Sequence, residues 1–188
     1  MRFMTELRRD LRIWWNRTDR MAWAVGGIIA VLVAGFAFVM NAILERQDER
    51  RNRVHEAHRK NLDCLARNVY FEARGEPLAG QYAVAEVTLN RQASRLYPRT
   101  ICEVVYQKNW DRLRKRYVGA FSWTEFDSLP EPSGEEWDRA WHVAEAVYYG
   151  KTSPTLQGAL HFHAVYIKPD WAKSKRRVAR IGKHVFYR

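Results

Sequence analysis

Cysteine is scarce: the chain has two, Cys64 and Cys102, too few to define a disulfide framework and spaced like no zinc module. If this region lies outside the cytoplasm the two can pair, and closing a loop of that length constrains the unfolded chain by about 4 kcal/mol. In a reducing compartment they are two buried thiols. There is no internal repeat and no low-complexity tract, which excludes solenoids and arrays. Negative charge is also in short supply, with 21 Asp and Glu against 32 Lys and Arg and a net charge of +11. That balance suits an anionic partner or surface: nucleic acid, anionic lipid or an acidic polymer of the envelope. The basic runs RLRKR (112–116) and KSKRR (173–177) lack the aromatic or glycine signatures of common nucleic-acid modules, so they read as solvated loops. No specific nucleic-acid partner is expected.

Charge of either sign is missing altogether from Met21 to Leu44, MAWAVGGIIAVLVAGFAFVMNAIL. The run is long enough to cross a hydrocarbon core of roughly 30 Å as a helix, and it reads as a transmembrane segment. A secretory signal peptide is the competing reading, but its apolar region is usually shorter, and AILERQDERR stands where a small-x-small cleavage site belongs. Lys and Arg are plentiful on both sides, so charge counting does not orient the span. Trp14, Trp15 and Trp23 suit an interfacial belt. The expected organisation is a basic N-terminal segment (1–20), the span (21–44), a charged linker (45–60) and a globular domain (61–188). The linker holds almost nothing apolar; it bridges roughly 24 Å if helical and about twice that if extended.

From Leu62 the pattern turns helical, with Leu62, Leu65, Ala66, Val69 and Ala73 on one face. Gly75 is a suitable stop, and Pro77 can open a second helix running from about Leu78 to Ser94. A shorter helix is expected around TICEVVYQ. SGEEWDRAWHVAEAVYYGK then gives the strongest local signal, with Ser133 as N-cap, Glu136 three residues on and Gly150 as terminator. Its stripe is Trp137, Ala140, Trp141, Ala144, Val147 and Tyr148. Towards the C-terminus ALHFHA and HVFYR alternate as strands do. The fold class is α+β and mainly helical, a bundle with a small sheet of two or three strands.

One residue sits oddly in this pattern. Glu72, in NVYFEARGEP, falls seven after Leu65 and three after Val69, at the edge of the apolar face. A carboxylate there loses water around its charged form, which raises its pKa and suits a general acid for glycosidic bond cleavage. The plainer alternative is a helix-terminal Glu paired with Arg67 or Arg74. A hydrolytic course would use a second carboxylate, for which Glu76, Glu125 and Asp127 are candidates. His161, His163 and His184 raise zinc as a rival, but no His-Glu-x-x-His is present, and half-buried strand histidines read equally well as shape and hydrogen bonding. Neither metal nor cofactor is expected.

Five blocks in order, LARNVYFEARGEPLAGQYAVAEVTLNR, YPRTICEVVYQ, FSW, ALHFHA and RIGKHVFYR, resemble the cell wall hydrolase family of the spore cortex-lytic enzymes, often called SleB-type. The resemblance runs from about Asp63 to Arg188. It implies a lysozyme-like fold related to lytic transglycosylases, acting on the β-1,4 bond between N-acetylmuramic acid and N-acetylglucosamine in peptidoglycan. It implies Glu72 as the catalytic acid, with the muramyl 6-hydroxyl as the internal nucleophile. Glu76 is expected in a supporting role, accepting backbone N–H groups or pairing with an arginine. Phe121, Ser122 and Trp123 are expected to wall the cleft, Phe121 equally well belonging to the core. His161, His163, Arg180 and His184 are expected to contact glycan, Arg180 or His184 also reaching Glu72. Ala120 departs from the family, where many relatives carry Gln. The substrate then orients the span: a single-pass inner-membrane protein, N-terminus inside, with the domain in the periplasm or outside. Other readings are a phage endolysin of the same family, and a noncatalytic peptidoglycan-binding envelope protein.

Overall fold

The computed structural model describes every residue except Met1, Thr18, Asp19, Leu113 and Gln157, with backbone only at Arg2, Phe3, Met4, Leu7, Asn16 and Arg17. The N-terminal segment and the 112–116 run are therefore described in part. The chain divides into two compact units, Met1–Val54 and His55–Arg188.

In the first unit, α1 (Arg2–Arg17) precedes the start of α2 (Arg20–Ala73). Of the described residues, α2 alone forms a helix long and apolar enough to cross a membrane, and its apolar side chains such as Val31 and Phe38 are exposed. Trp23 meets Trp14 edge to face and stacks on Trp15, with ring centroids 5.4 and 6.0 Å apart. Residues 45–60, read from sequence as either a solvated helix or a tether, are helical and lie within α2. Residues 45–60 contain neither Gly nor Pro, and the exposed pairs of Arg51 with Asp48, Arg53 with Glu49 and Arg59 with Glu56 each span about one turn. Each such pair favours helix by a few tenths of a kcal/mol, roughly 0.2–0.5.

In the second unit the last turns of α2 bury Leu62, Leu65, Ala66, Val69 and Ala73, the stripe read from spacing. They pack with Ile101, Val104 and Val105 of α4 (Ile101–Val105) and Ala140, Val143 and Ala144 of α5 (Gly134–Tyr148). Between them runs α3 (Leu78–Ala93), whose small residues face two ways: Ala85 joins this cluster, while Ala83 and Val87 join a second one with Leu156, Ala159 and Phe186. A disulfide between Cys64 and Cys102, Cα atoms 5.3 Å apart, ties α2 to α4.

Several helix ends differ from expectation. Gly75 is not left-handed; α2 closes in a tight turn through Arg74 N–H to Tyr70 O and Glu76 N–H to Ala73 O, at 3.1 and 2.9 Å. Pro77 occupies the cap of α3 itself. Ser133 caps α5 by position but its side chain makes no capping bond, whereas Thr100 and Glu103 form a reciprocal capping box on α4. Gly150, at φ +65°, ends α5 as predicted, with Lys151 N–H reaching back to Ala146 O at 2.8 Å.

Two antiparallel sheets complete the unit. The hairpin β1 (Lys108–Asp111) with β2 (Arg116–Gly119) was not expected, since its strands are short and largely exposed. Arg112, Arg114 and Lys115 of the basic run lie between its strands, and Arg116 opens β2. The other sheet has the order β3 (His161–Ala164), β5 (His184–Tyr187), β4 (Arg177–Ile181), with Phe162 opposite Phe186 and Ala164 opposite His184. A register shift between Arg177 and Ala179 bends β4.

Candidate active site

Glu72 lies in the last turn of α2, where the apolar face that buries Leu65 and Val69 ends. Its carboxylate is largely buried, and Oε1 has no hydrogen-bond partner. Burial pushes its pKa up from the usual carboxylate range to about 6, against opposing pulls from Arg91, from the Ser122 amide and hydroxyl, and from the Trp123 amide. The two arginines considered as its partners, Arg67 and Arg74, are engaged elsewhere. Arg67 bonds Asp63 and Glu131 at 3.0 and 2.8 Å, and Arg74 bonds the Tyr70 hydroxyl at 3.1 Å.

The turn facing Glu72 is held from behind. Asn68, one helical turn earlier, accepts the Trp123 indole N–H at 2.9 Å and donates to the Thr88 hydroxyl at 3.0 Å, which in turn donates to Val84 O at 3.1 Å. This buried chain of bonds locks the short 3₁₀ turn Ser122–Glu125 onto α2 and α3. Trp123 is thereby a core residue, stacked on Phe71 at 4.7 Å, rather than cleft wall. Ser122 is exposed and lines the cleft, and Phe121 is buried while still bordering it.

A cavity of about 360 Å³ opens in front of Glu72. Its walls bring together Phe121, Ser122, His163 and His184 from the expected set, and add Arg91, Tyr166 and Trp171. Among the described residues no other Asp or Glu lines it. Glu125 is engaged by Arg116 at 2.7 Å and by the Gly119 N–H at 3.1 Å, and Asp127 is exposed. Arg180 is exposed on β4 and borders neither this cavity nor the next; the alternation of β4 turns it away. His161 lines a neighbouring cavity.

Glu76 behaves as a brace. Its side chain is only 7% exposed and accepts the Lys183 N–H at 2.7 Å, joining the α2–α3 corner to the β4–β5 turn. Gly182, at φ +55°, lets that turn approach: a Cβ there would collide with the Glu76 carboxylate and meet Pro77 Cδ at 3.1 Å. His184 Nδ1 stands 3.9 Å from the same carboxylate, beyond hydrogen-bond reach. Burial lowers the His184 pKa, more than Glu76 raises it, so the ring is neutral.

The histidines do not converge. His163 Nδ1 lies 2.9 Å from Ala164 O and so carries the proton, leaving Nε2 to accept the Tyr187 hydroxyl at 3.0 Å. Both its nitrogens are used. Among the described residues no group of three His, Cys, Asp or Glu side chains could hold a metal ion.

Arg91 and Trp171 were not anticipated. For Arg91 a signal existed: it falls four after Val87 and seven after Val84, on the buried face of α3, the same anomaly that singled out Glu72. Trp171, in the 3₁₀ turn Asp170–Ser174 that follows β3, had no local pattern to mark it.

This mainly helical unit with small antiparallel sheets has the fold of the SleB catalytic domains. That of Bacillus cereus SleB superposes with a TM-score of 0.55 at 28% identity, covering 69% of this chain and 91% of that one. The catalytic domain of a germination-specific lytic transglycosylase, SleB of Bacillus anthracis, gives 0.52 at 29% identity, covering 68% and 93%. The Cell Wall Hydrolase family matches residues 75–187, and the chain belongs to that family. Glu72 lies just before the matched segment. Among curated relatives, the spore cortex-lytic enzyme of Oceanobacillus iheyensis is 29% identical over 127 residues, 67% of this chain and 41% of that protein. That of Bacillus subtilis (strain 168) is 30% identical over 126 residues, 67% and 37%. The chain thus spans about two fifths of the length of the relatives it matches.

Proposed function

We propose that this protein cleaves peptidoglycan at the β-1,4 bond between N-acetylmuramic acid and N-acetylglucosamine, as a lytic transglycosylase with Glu72 as general acid and then general base. One observation carries the reading: Glu72 is the sole carboxylate lining its cavity, and burial raises its pKa to about 6. Such a group holds a proton close to neutral pH. It gives that proton to the glycosidic oxygen as the C1–O bond breaks and the N-acetylglucosamine hydroxyl departs. The substrate's own groups stabilise the oxocarbenium-like centre on the muramyl ring. Glu72, now a carboxylate, takes the proton of the muramyl 6-hydroxyl while O6 closes on C1, leaving a 1,6-anhydromuramyl end. Two-carboxylate hydrolysis requires a second acidic group within about 5–9.5 Å. Family membership and the relatives' names support the substrate class.

The organisation proposed with it is a basic cytoplasmic segment (1–20), a transmembrane helix (21–44), a charged connector (45–60) and a catalytic domain (61–188) in the periplasm or outside. The Cys64–Cys102 disulfide supports an oxidising compartment for that domain. The test is mass spectrometry of muropeptides released from purified peptidoglycan by the full chain in detergent, beside its Glu72→Gln variant. Anhydromuramyl ends from the parent and none from the variant are expected. Reducing muramyl ends would replace transglycosylation by hydrolysis, and no release by folded protein would leave a glycan-binding role.

A further inference from the structure

Beside the Glu72 cavity lies another of about 450 Å³, lined by Arg91, Tyr97, Gln107, Asn109, His161 and Lys175 among others. The two cavities share Arg91 and Ala120 in their walls. The second contains two cationic side chains and no Asp or Glu.

Arg91 is built into this wall. Its guanidinium lies over the Phe121 ring at 4.8 Å and the Tyr97 ring at 5.4 Å, and Nε donates to Leu160 O at 2.8 Å. The residue is only 7% exposed, yet Nη1 has no hydrogen-bond partner. An unpartnered buried donor on a fixed cation is costly unless something fills its valence. Lys175 borders the same space and makes no ion pair among the described residues. On the same wall His161 is driven down to about 4, by burial first and then by Lys175 and Arg91, so it stays neutral and leaves the cationic charge there to Arg91 and Lys175. Gln107 Oε1, buried and also without a partner, adds an acceptor.

From these groups we infer that the second cavity is a subsite for a carboxylate carried on the lactyl arm of the muramyl residue, with an amide N–H directed at Gln107. The inference rests on the proposed cleavage of glycan and specifies which part of the strand the neighbouring space holds. Two parts could supply the carboxylate: the stem peptide, or the lactyl group itself once the stem has been removed.

The test measures binding of fluorescent glycan strands to the full chain in detergent, in a Glu72→Gln background so that strands are not consumed. Three strand preparations of one length distribution are used: stem-bearing, stem-free with free lactyl carboxylates, and stem-bearing with every carboxylate converted to a methylamide. Stem-bearing strands are expected to bind at least about tenfold more tightly than methylamidated ones, a difference of about 1.4 kcal/mol. Lys175→Ala should remove most of that difference without changing affinity for methylamidated strands, and Lys175→Arg should restore it. Lys173→Ala, which deletes an exposed cation outside the cavity, should leave the difference in place. Stem-free strands that bind as tightly as stem-bearing ones extend the subsite to the lactyl carboxylate bared by stem removal; those that bind like methylamidated ones restrict it to carboxylates of the stem. Equal affinity for charged and methylamidated strands would overturn the inference, as would equal losses in the Lys173 and Lys175 variants, which signify general attraction to a basic surface. Failure of the parent to release muropeptides would sink the cleavage reading instead, leaving the binding result to stand by itself.

Discussion

Glu72 concentrates two effects in one carboxylate. In the folded chain its pKa is about 6 against 4.5 ordinarily, so between those values the native state holds a proton that the unfolded chain has lost. Stability contributed by this group is fully present below about pH 4.5 and is lost as pH rises through 6. Replacing it by Gln removes that loss. Glu72→Gln should gain on the parent by about 2 kcal/mol between pH 4.5 and 7.5, as read from urea unfolding at both pH values. The same proton governs turnover: kcat/KM should decline with a slope of one per pH unit above about 6, and a flat profile to pH 8 would remove Glu72 as the acid. Gly182 is the other residue with a sharp expectation. Alanine at left-handed Gly158, where a Cβ has open space, should cost about 1–2 kcal/mol for the backbone alone. Gly182→Ala should cost a further 1–3 kcal/mol, roughly the range for overpacking, since its Cβ strikes Glu76 and Pro77. Thermal denaturation of the pair measures the difference.

Among elements, the last turns of α2 carry the most. They supply Glu72, bury the face beneath it, and hold the Ser122 turn through Asn68. The disulfide fixes the same helix to α4, across 38 residues of chain. On the loop-entropy account, replacing both cysteines by alanine should lower stability by about 4 kcal/mol. Chemical denaturation should show a lower midpoint with little change in slope. An unchanged midpoint would mean that the native protein is reduced. The β4–β5 turn is tied to the α2–α3 corner through Glu76, while Phe186 of β5 packs on Ala83 and Val87 of α3, so a polar and an apolar contact together hold the strand that carries His184.

For the molecule as a whole, the two units suggest different solvents. Apolar side chains of α2 from Met21 to Leu44 are exposed, while the core clusters lie within His55–Arg188. A fragment beginning at His55 should be monodisperse without detergent, unfold in one cooperative transition and retain muropeptide release. The full chain should float with liposomes after high-salt washing. Extraction of the full chain by salt alone would mean that it is held at the membrane surface by charge, not by a span.

What the sequence determined by itself is what local periodicity and end signals encode. The apolar stripe of α2 around Leu65 and Val69, the extent of α3, the termination of α5 at Gly150 and the strand character of HFHA and HVFY were all legible, because helix and strand periods repeat along the chain. Glu72 stood out by breaking that period. The hairpin β1–β2 and the continuity of α2 were not legible: four-residue exposed strands carry too little pattern, and a polar stretch reads alike as helix or tether. Tertiary structure alone decided which side chains share the cleft. It brought Arg91, Ser122, His163 and Trp171 to Glu72, withdrew Trp123 into the core and turned Arg180 outward. Those outcomes depend on the packing of elements distant in sequence, and a carboxylate's proton affinity depends on the water that such packing excludes.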